Sequence, residues 1–235
     1  MMLARMNLRR CTRRASPPQG ARSRPGRTWP QARFLALIGA ALIAAGCDAP
    51  APPAPVNPAT LAAQHGIDAG VARRLVAREP LAADEVDTLA SSGKRDLLVL
   101  LMAHPSTPPA ALSSFAGFHD DAVRAAVAGN ASTPVETLRA LRTTGAPSPI
   151  NRALAMNPST PVALLLEMRA NGEAGDVSLA ANLALPADTM EDILRRGDEL
   201  ARLTLARNPA LPTALRERLT QDASDDVRRA ARTGR

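Results

Sequence analysis

The chain repeats itself with a period of about 26 residues. An Asn, three variable residues and a Pro recur as Asn130 to Pro134, Asn157 to Pro161, Asn182 to Pro186 and Asn208 to Pro212, and His104 to Pro108 is a copy with His in the Asn position. The prolines that close these segments, Pro108, Pro134, Pro161, Pro186 and Pro212, are 26, 27, 25 and 26 residues apart. A degenerate copy starts at Glu79-Pro80, and a truncated one runs to Thr233. A period of this length belongs to stacked units, each too small to bury a core alone.

Other columns keep the same phase. Seven residues after the closing Pro stand Phe115, Leu141, Met168, Ile193 and Leu219; four after it stand Leu112, Leu138, Leu165 and Met190, with Arg216 breaking the pattern. Three before the Asn position stand Leu101, Val127, Leu154, Leu179 and Leu205, and two before it Met102, Ala128, Ala155, Ala180 and Ala206. Spacings of three and four put apolar residues on one helical face. Each unit therefore reads as two short helices. The first ends at the Asn, which can take the left-handed conformation there. The second begins at the Thr-Pro or Leu-Pro, with Thr107, Thr133 and Thr160 as caps and Pro at the first helical position. Thr133 with Glu136 has the capping-box spacing. No stretch alternates as a strand does. The expected class is all-α: a solenoid of short paired helices over residues 61–235.

At these residues the chain resembles the leucine-rich repeat variant family. That family's unit is similar to V-R-x-x-L-A-x-N-P-x-T-P-x-x-x-L-x-x-L, which Asp121-Ala122-Val123-Arg124 through Leu138 and Ile150 through Leu165 match well, and Asp226-Val227-Arg228 begins another copy. The resemblance implies alternating α and 3-10 helices in a right-handed superhelix. Asn151 and Asp176 occupy the family's usual Arg column, and Gly175 loosens that unit.

The first 60 residues have a different character. Residues 1–46 carry nine arginines and no acidic residue, whereas the rest carries 20 basic and 22 acidic groups. Residues 34–46, FLALIGAALIAAG, form an uncharged run of thirteen, too short to span a bilayer and suited to a signal-peptide core. The run ends at Ala44-Ala45-Gly46-Cys47, which resembles the bacterial lipobox, with Ala44 standing where Leu is most frequent. The resemblance implies lipidation of the Cys47 thiol, cleavage before it, and a lipid-anchored, periplasm-facing address in the bacterial cell envelope, inner or outer membrane being left open. The alternative is an incidental cysteine after an ordinary signal peptide. The basic region before the run is long for a signal, so Met6 or a non-Met start is an alternative beginning. Residues 48–58, DAPAPPAPVNP, hold five prolines and read as an extended stalk, roughly 35 Å long at about 3.1 Å per residue. The expected domains are thus 1–46, signal; 47–60, lipidated Cys and stalk; 61–235, helical repeats.

Composition narrows the chemistry. Beyond position 46 the only aromatics are Phe115 and Phe118, and the body is weakly acidic, so nucleic acid is not an expected partner. Two cysteines, Cys11 and Cys47, make neither a disulfide framework nor a four-Cys metal site. His65, His104 and His119 show no ligand spacing, no G-x-S-x-G occurs, and Ser106, Ser132 and Ser159 recur with the repeat as turn residues. Asn130, Asn157, Asn182 and Asn208 read as a structural ladder closing helix ends. The expectation is a non-catalytic protein without metal or cofactor. It would be anchored to the membrane through Cys47 and bind another envelope protein, with self-association through the C-terminal repeat also open. The alternative is a lipoprotein that binds a small molecule, glycan or peptide.

Overall fold

The computed structural model describes residues 55–234. The expected lipobox (Ala44, Ala45, Gly46 and Cys47), Cys11 and most of the expected Pro-rich stalk lie outside the described residues. Within them the chain is all-α. The helices are α1 (Pro58–His65), α2 (Ala69–Ala77), α3 (Ala83–Ser91), α4 (Arg95–Met102), α5 (Pro109–Phe115), α6 (Asp121–Gly129) and α7 (Val135–Leu141). They continue with α8 (Pro149–Met156), α9 (Val162–Ala170), α10 (Asp176–Ala180), α11 (Ala187–Arg196), α12 (Glu199–Arg207), α13 (Thr213–Leu219) and α14 (Asp225–Thr233). No strand occurs among the described residues. The first helix starts at Pro58, within the segment expected to be stalk, because the Asn57 side chain accepts from the Ala59 and Thr60 amides and caps it.

Helices of five to ten residues are marginal alone and need tertiary contacts. From α2 onward each even-numbered helix packs on the next even-numbered one, and the odd-numbered helices from α3 pack against their even-numbered neighbours. The small column makes the close stack possible. Ala128, Ala155, Ala180 and Ala206 are fully buried, as is Met102. Leu101, Val127, Leu154, Leu179 and Leu205 are buried beside them, and Leu112, Leu138, Leu165 and Met190 face inward from the odd-numbered helices. These residues belong to one continuous apolar cluster.

Three local expectations are corrected. First, the second helix of each unit is α-helical, not 3-10. Its first amide donors reach back four residues, as Leu138 N–H does to Pro134 C=O and Leu165 N–H to Pro161 C=O. Second, the closing Pro is the cap residue itself, extended at ψ 145° for Pro134, and Val135 is the first helical residue. The preceding threonines do not cap that helix, and Thr133 with Glu136 forms no capping box. Their hydroxyls turn back and donate to the carbonyl three before the Asn position: Thr107 to Leu101, Thr133 to Val127 at 2.6 Å, and Thr160 to Leu154 at 2.7 Å. Each of these helix-end carbonyls already takes the N–H of its column residue and has a lone pair to spare, which the hydroxyl uses. Third, Asn130, Asn157 and Asn208 are extended, at φ −79°, −76° and −69°, and not left-handed. The extended backbone lets the amide side chain reach the neighbouring unit.

Candidate functional site

The four column asparagines have one geometry. Each Nδ2 donates twice to the unit before it. Asn130 reaches the Met102 and His104 carbonyls at 2.7 and 2.9 Å, and Asn157 reaches Ala128 and Asn130 at 2.7 and 2.8 Å. Asn182 reaches Ala155 and Asn157 at 2.7 and 2.9 Å, and Asn208 reaches Ala180 and Asn182 at 2.8 and 2.9 Å. Each Oδ1 accepts the amide two residues on, from Ser132, Ser159, Ala184 or Ala210. The amide group has two donor hydrogens and one acceptor oxygen, and each side chain uses both hydrogens and the oxygen. The asparagines are between 0 and 5% exposed, so these bonds satisfy backbone groups that water does not reach.

At the end of this ladder the residue that breaks its column acquires a role. Arg216 Nη1 donates to the Ala206 carbonyl at 2.7 Å and Nη2 to the Asn208 carbonyl at 2.8 Å. These carbonyls correspond to the pair that an asparagine in a following unit would take. In the last unit that position is Gly234, left-handed at φ 66°, with its N–H on the Ala230 carbonyl. Two N–H groups of one planar guanidinium replace the two N–H groups of one amide.

A second polar feature was not legible in the repeat. Glu173 is 3% exposed and takes Arg142 through both oxygens, at 2.7 and 3.1 Å, while Arg142 also holds Glu167 at 2.6 Å. The Arg142 guanidinium holds the Glu173 carboxyl below its usual range, and the two carboxylates raise the arginine. Arg142 opens the irregular 142–148 segment. Asn151, in the family's Arg column, pins that segment by accepting from Thr143 N–H and donating to the Thr143 and Ala146 carbonyls. Asp176, the other departure from that column, pairs with Arg169, which also reaches Asp192 in α11.

The remaining candidates stay apart. Among the described residues no group of three His, Cys, Asp or Glu side chains is placed to hold a metal ion, and no helix is long and apolar enough to cross a membrane. His119 stacks beside Phe118, whose ring is 5.5 Å from that of Phe115. Ser106, Ser132 and Ser159 sit in the turns with their amides on the column side chain. The arginines near the C-terminal end are interleaved with acids: Arg218 pairs with Glu191, Arg228 with Asp225 and Arg229 with Asp226. Among the described residues the exposed large apolar side chains are Val56 ahead of α1, Val135, Val162 and Leu166 on the odd-numbered helices, Leu183 in a turn and Leu200 on α12.

The described residues are all-helical and repeat-like, and their recurrent buried asparagines bond the backbone of the preceding turn. No protein-family profile, no curated protein and no solved structure matches the chain.

Proposed function

We propose that this chain is a non-catalytic, membrane-anchored envelope lipoprotein whose repeats form a right-handed solenoid acting as a protein-interaction scaffold. The observation that carries this reading is the division of labour within each unit. The Asn, Ala and Leu columns are buried and nearly constant, while exposed positions change from unit to unit. The residue after the closing Pro is Pro109, Val135, Val162, Ala187 or Thr213, and five after that Pro it is Ser113, Arg139, Leu166, Glu191 or Glu217. A constant frame carrying a variable surface is how repeat arrays recognise partners. The anchor rests on the sequence: a short apolar run, small residues, Cys47 and a Pro-rich stretch.

The expected partner is another envelope protein. Cross-linking mass spectrometry in native membranes, with Cys47→Ala alongside, tests the reading. The expected result is a reproducible partner mapped to residues 61–235 and lost in the variant. Cross-links to cell-wall fragments alone would favour the ligand-binding alternative. Unchanged membrane association of Cys47→Ala would remove the lipid anchor.

A further inference from the structure

His104 is the one imidazole in the asparagine column, and it sits where the regular units meet the N-terminal helices. It is 1% exposed. Its Nδ1 accepts the Ser106 N–H at 3.1 Å, the bond that Oδ1 makes in the other copies. The proton of the neutral ring therefore sits on Nε2. Each column asparagine places two donors on carbonyls of the preceding unit. Buried Nε2 makes no hydrogen bond of good geometry with any described residue. The backbone of Arg74 and of Glu79 acts on the ring in favour of its protonated form, and burial outweighs both.

The turn that Nδ1 holds also grips the N-terminal segment. The Ser106 Oγ accepts the Leu81 N–H at 3.3 Å, and α2 and α3 both pack on α4 just before this turn. The charged groups around the ring do not favour a second proton. From α2 the Arg74 side chain is paired with Glu85 of α3, and Glu79 is paired with Arg73. The charge acting on the ring is that of Arg78, of like sign to an imidazolium. On its own side and from the next unit the neighbours are Leu101, whose carbonyl takes the His104 N–H, and Asn130, which donates to the His104 carbonyl. Neither titrates.

We propose that His104 is an acid-sensitive latch: the neutral ring keeps the 104–107 turn on the 79–81 segment and α2 and α3 docked, and protonation of Nδ1 sets N–H against the Ser106 N–H and loosens them. Burial is the main cause that holds the imidazole below its ordinary value of 6.5. The docked form is then the one that binds the proton less readily. Its stability is complete above about pH 6.5 and falls as pH drops below it, by at most about tenfold in the opening equilibrium per pH unit, until the docked-state value is reached.

Hydrogen exchange on the full chain tests this at about pH 7.5 and about pH 5, after correction for the intrinsic pH dependence of exchange. Protection of residues 69–91 is expected to drop at the lower pH by several-fold, with a ceiling of about thirtyfold set by one proton over about 1.5 pH units. Residues 149–219 serve as the internal reference. His104→Asn, which restores the column residue, abolishes the drop, and His65→Gln, in α1, leaves it intact. A drop of equal size in His104→Asn, or none in the native chain, overturns the latch. NMR titration of the native ring decides the matter without a variant. A neutral Nε2–H tautomer with a midpoint below 6.5 is expected, and an Nδ1–H tautomer or a midpoint at or above 6.5 overturns it.

Discussion

Replacing Asn157 by Leu removes one hydrogen-bonding side chain from the middle of the ladder while keeping nearly the same volume. Three interactions go: Nδ2 to the Ala128 and Asn130 carbonyls, at 2.7 and 2.8 Å, and the Ser159 N–H to Oδ1, at 2.8 Å. Asn157 is 1% exposed, and Ala128 and Asn130 are buried as well, so water does not replace the partner of either stranded carbonyl. At about 1 kcal/mol per bond the cost is about 3 kcal/mol, and the desolvation of stranded groups sets a higher ceiling. For a urea dependence of about 2 kcal/mol per molar, the unfolding midpoint moves down by about 1.5 M. The assay is urea unfolding followed by circular dichroism, with exposed Gln221→Ala as a control expected within about 0.5 kcal/mol of the native chain. Because stability is shared between neighbouring units, hydrogen exchange should show the loss concentrated at α6 to α9. A midpoint shift no larger than that of the control would refute the claim that the ladder stabilises the stack.

Arg216→Met restores the apolar column residue but strands the Ala206 and Asn208 carbonyls. A net loss of about 1–3 kcal/mol, with α13 and α14 exchanging faster, is expected in the same urea and exchange assays, whereas a gain in stability would show that packing outweighs the guanidinium bonds. Glu173 has its carboxyl lowered by Arg142, so it contributes stability that is full above the ordinary value near 4.5 and is lost as pH falls through and below it. Glu173→Gln should flatten that part of the stability profile measured between about pH 6 and pH 3, and an unchanged acid limb would count against the pair.

The repeat made the helices legible. Apolar residues at spacings of three and four, with Asp, Ser or Asn ahead of the run, specify where a helix starts and which face it buries. In the structure the side chains that cap them are Asp120, Ser148, Asp198 and Ser224. Gly197 lies between α11 and α12. Why only glycine fits required the structure, because a Cβ there would fall 2.5 Å from the Ile193 carbonyl oxygen. Arg216 reads from sequence as an error in an apolar column. Glu173 and Arg142, 31 residues apart, carry no repeat signal at all.

What the sequence determined by itself is therefore the all-helical class and the phase of its columns. Both depend on interactions within about four residues, where the helix period relates side chain to backbone. Only the tertiary structure decided the partner of each polar group. Thr133 could have capped the helix ahead and instead donates to the helix behind; Asn157 could have closed its own helix and instead binds carbonyls 27 and 29 residues earlier. A buried donor takes the carbonyl that stacking brings within about 3 Å, and that distance is set by how closely the Ala column lets neighbouring helices approach.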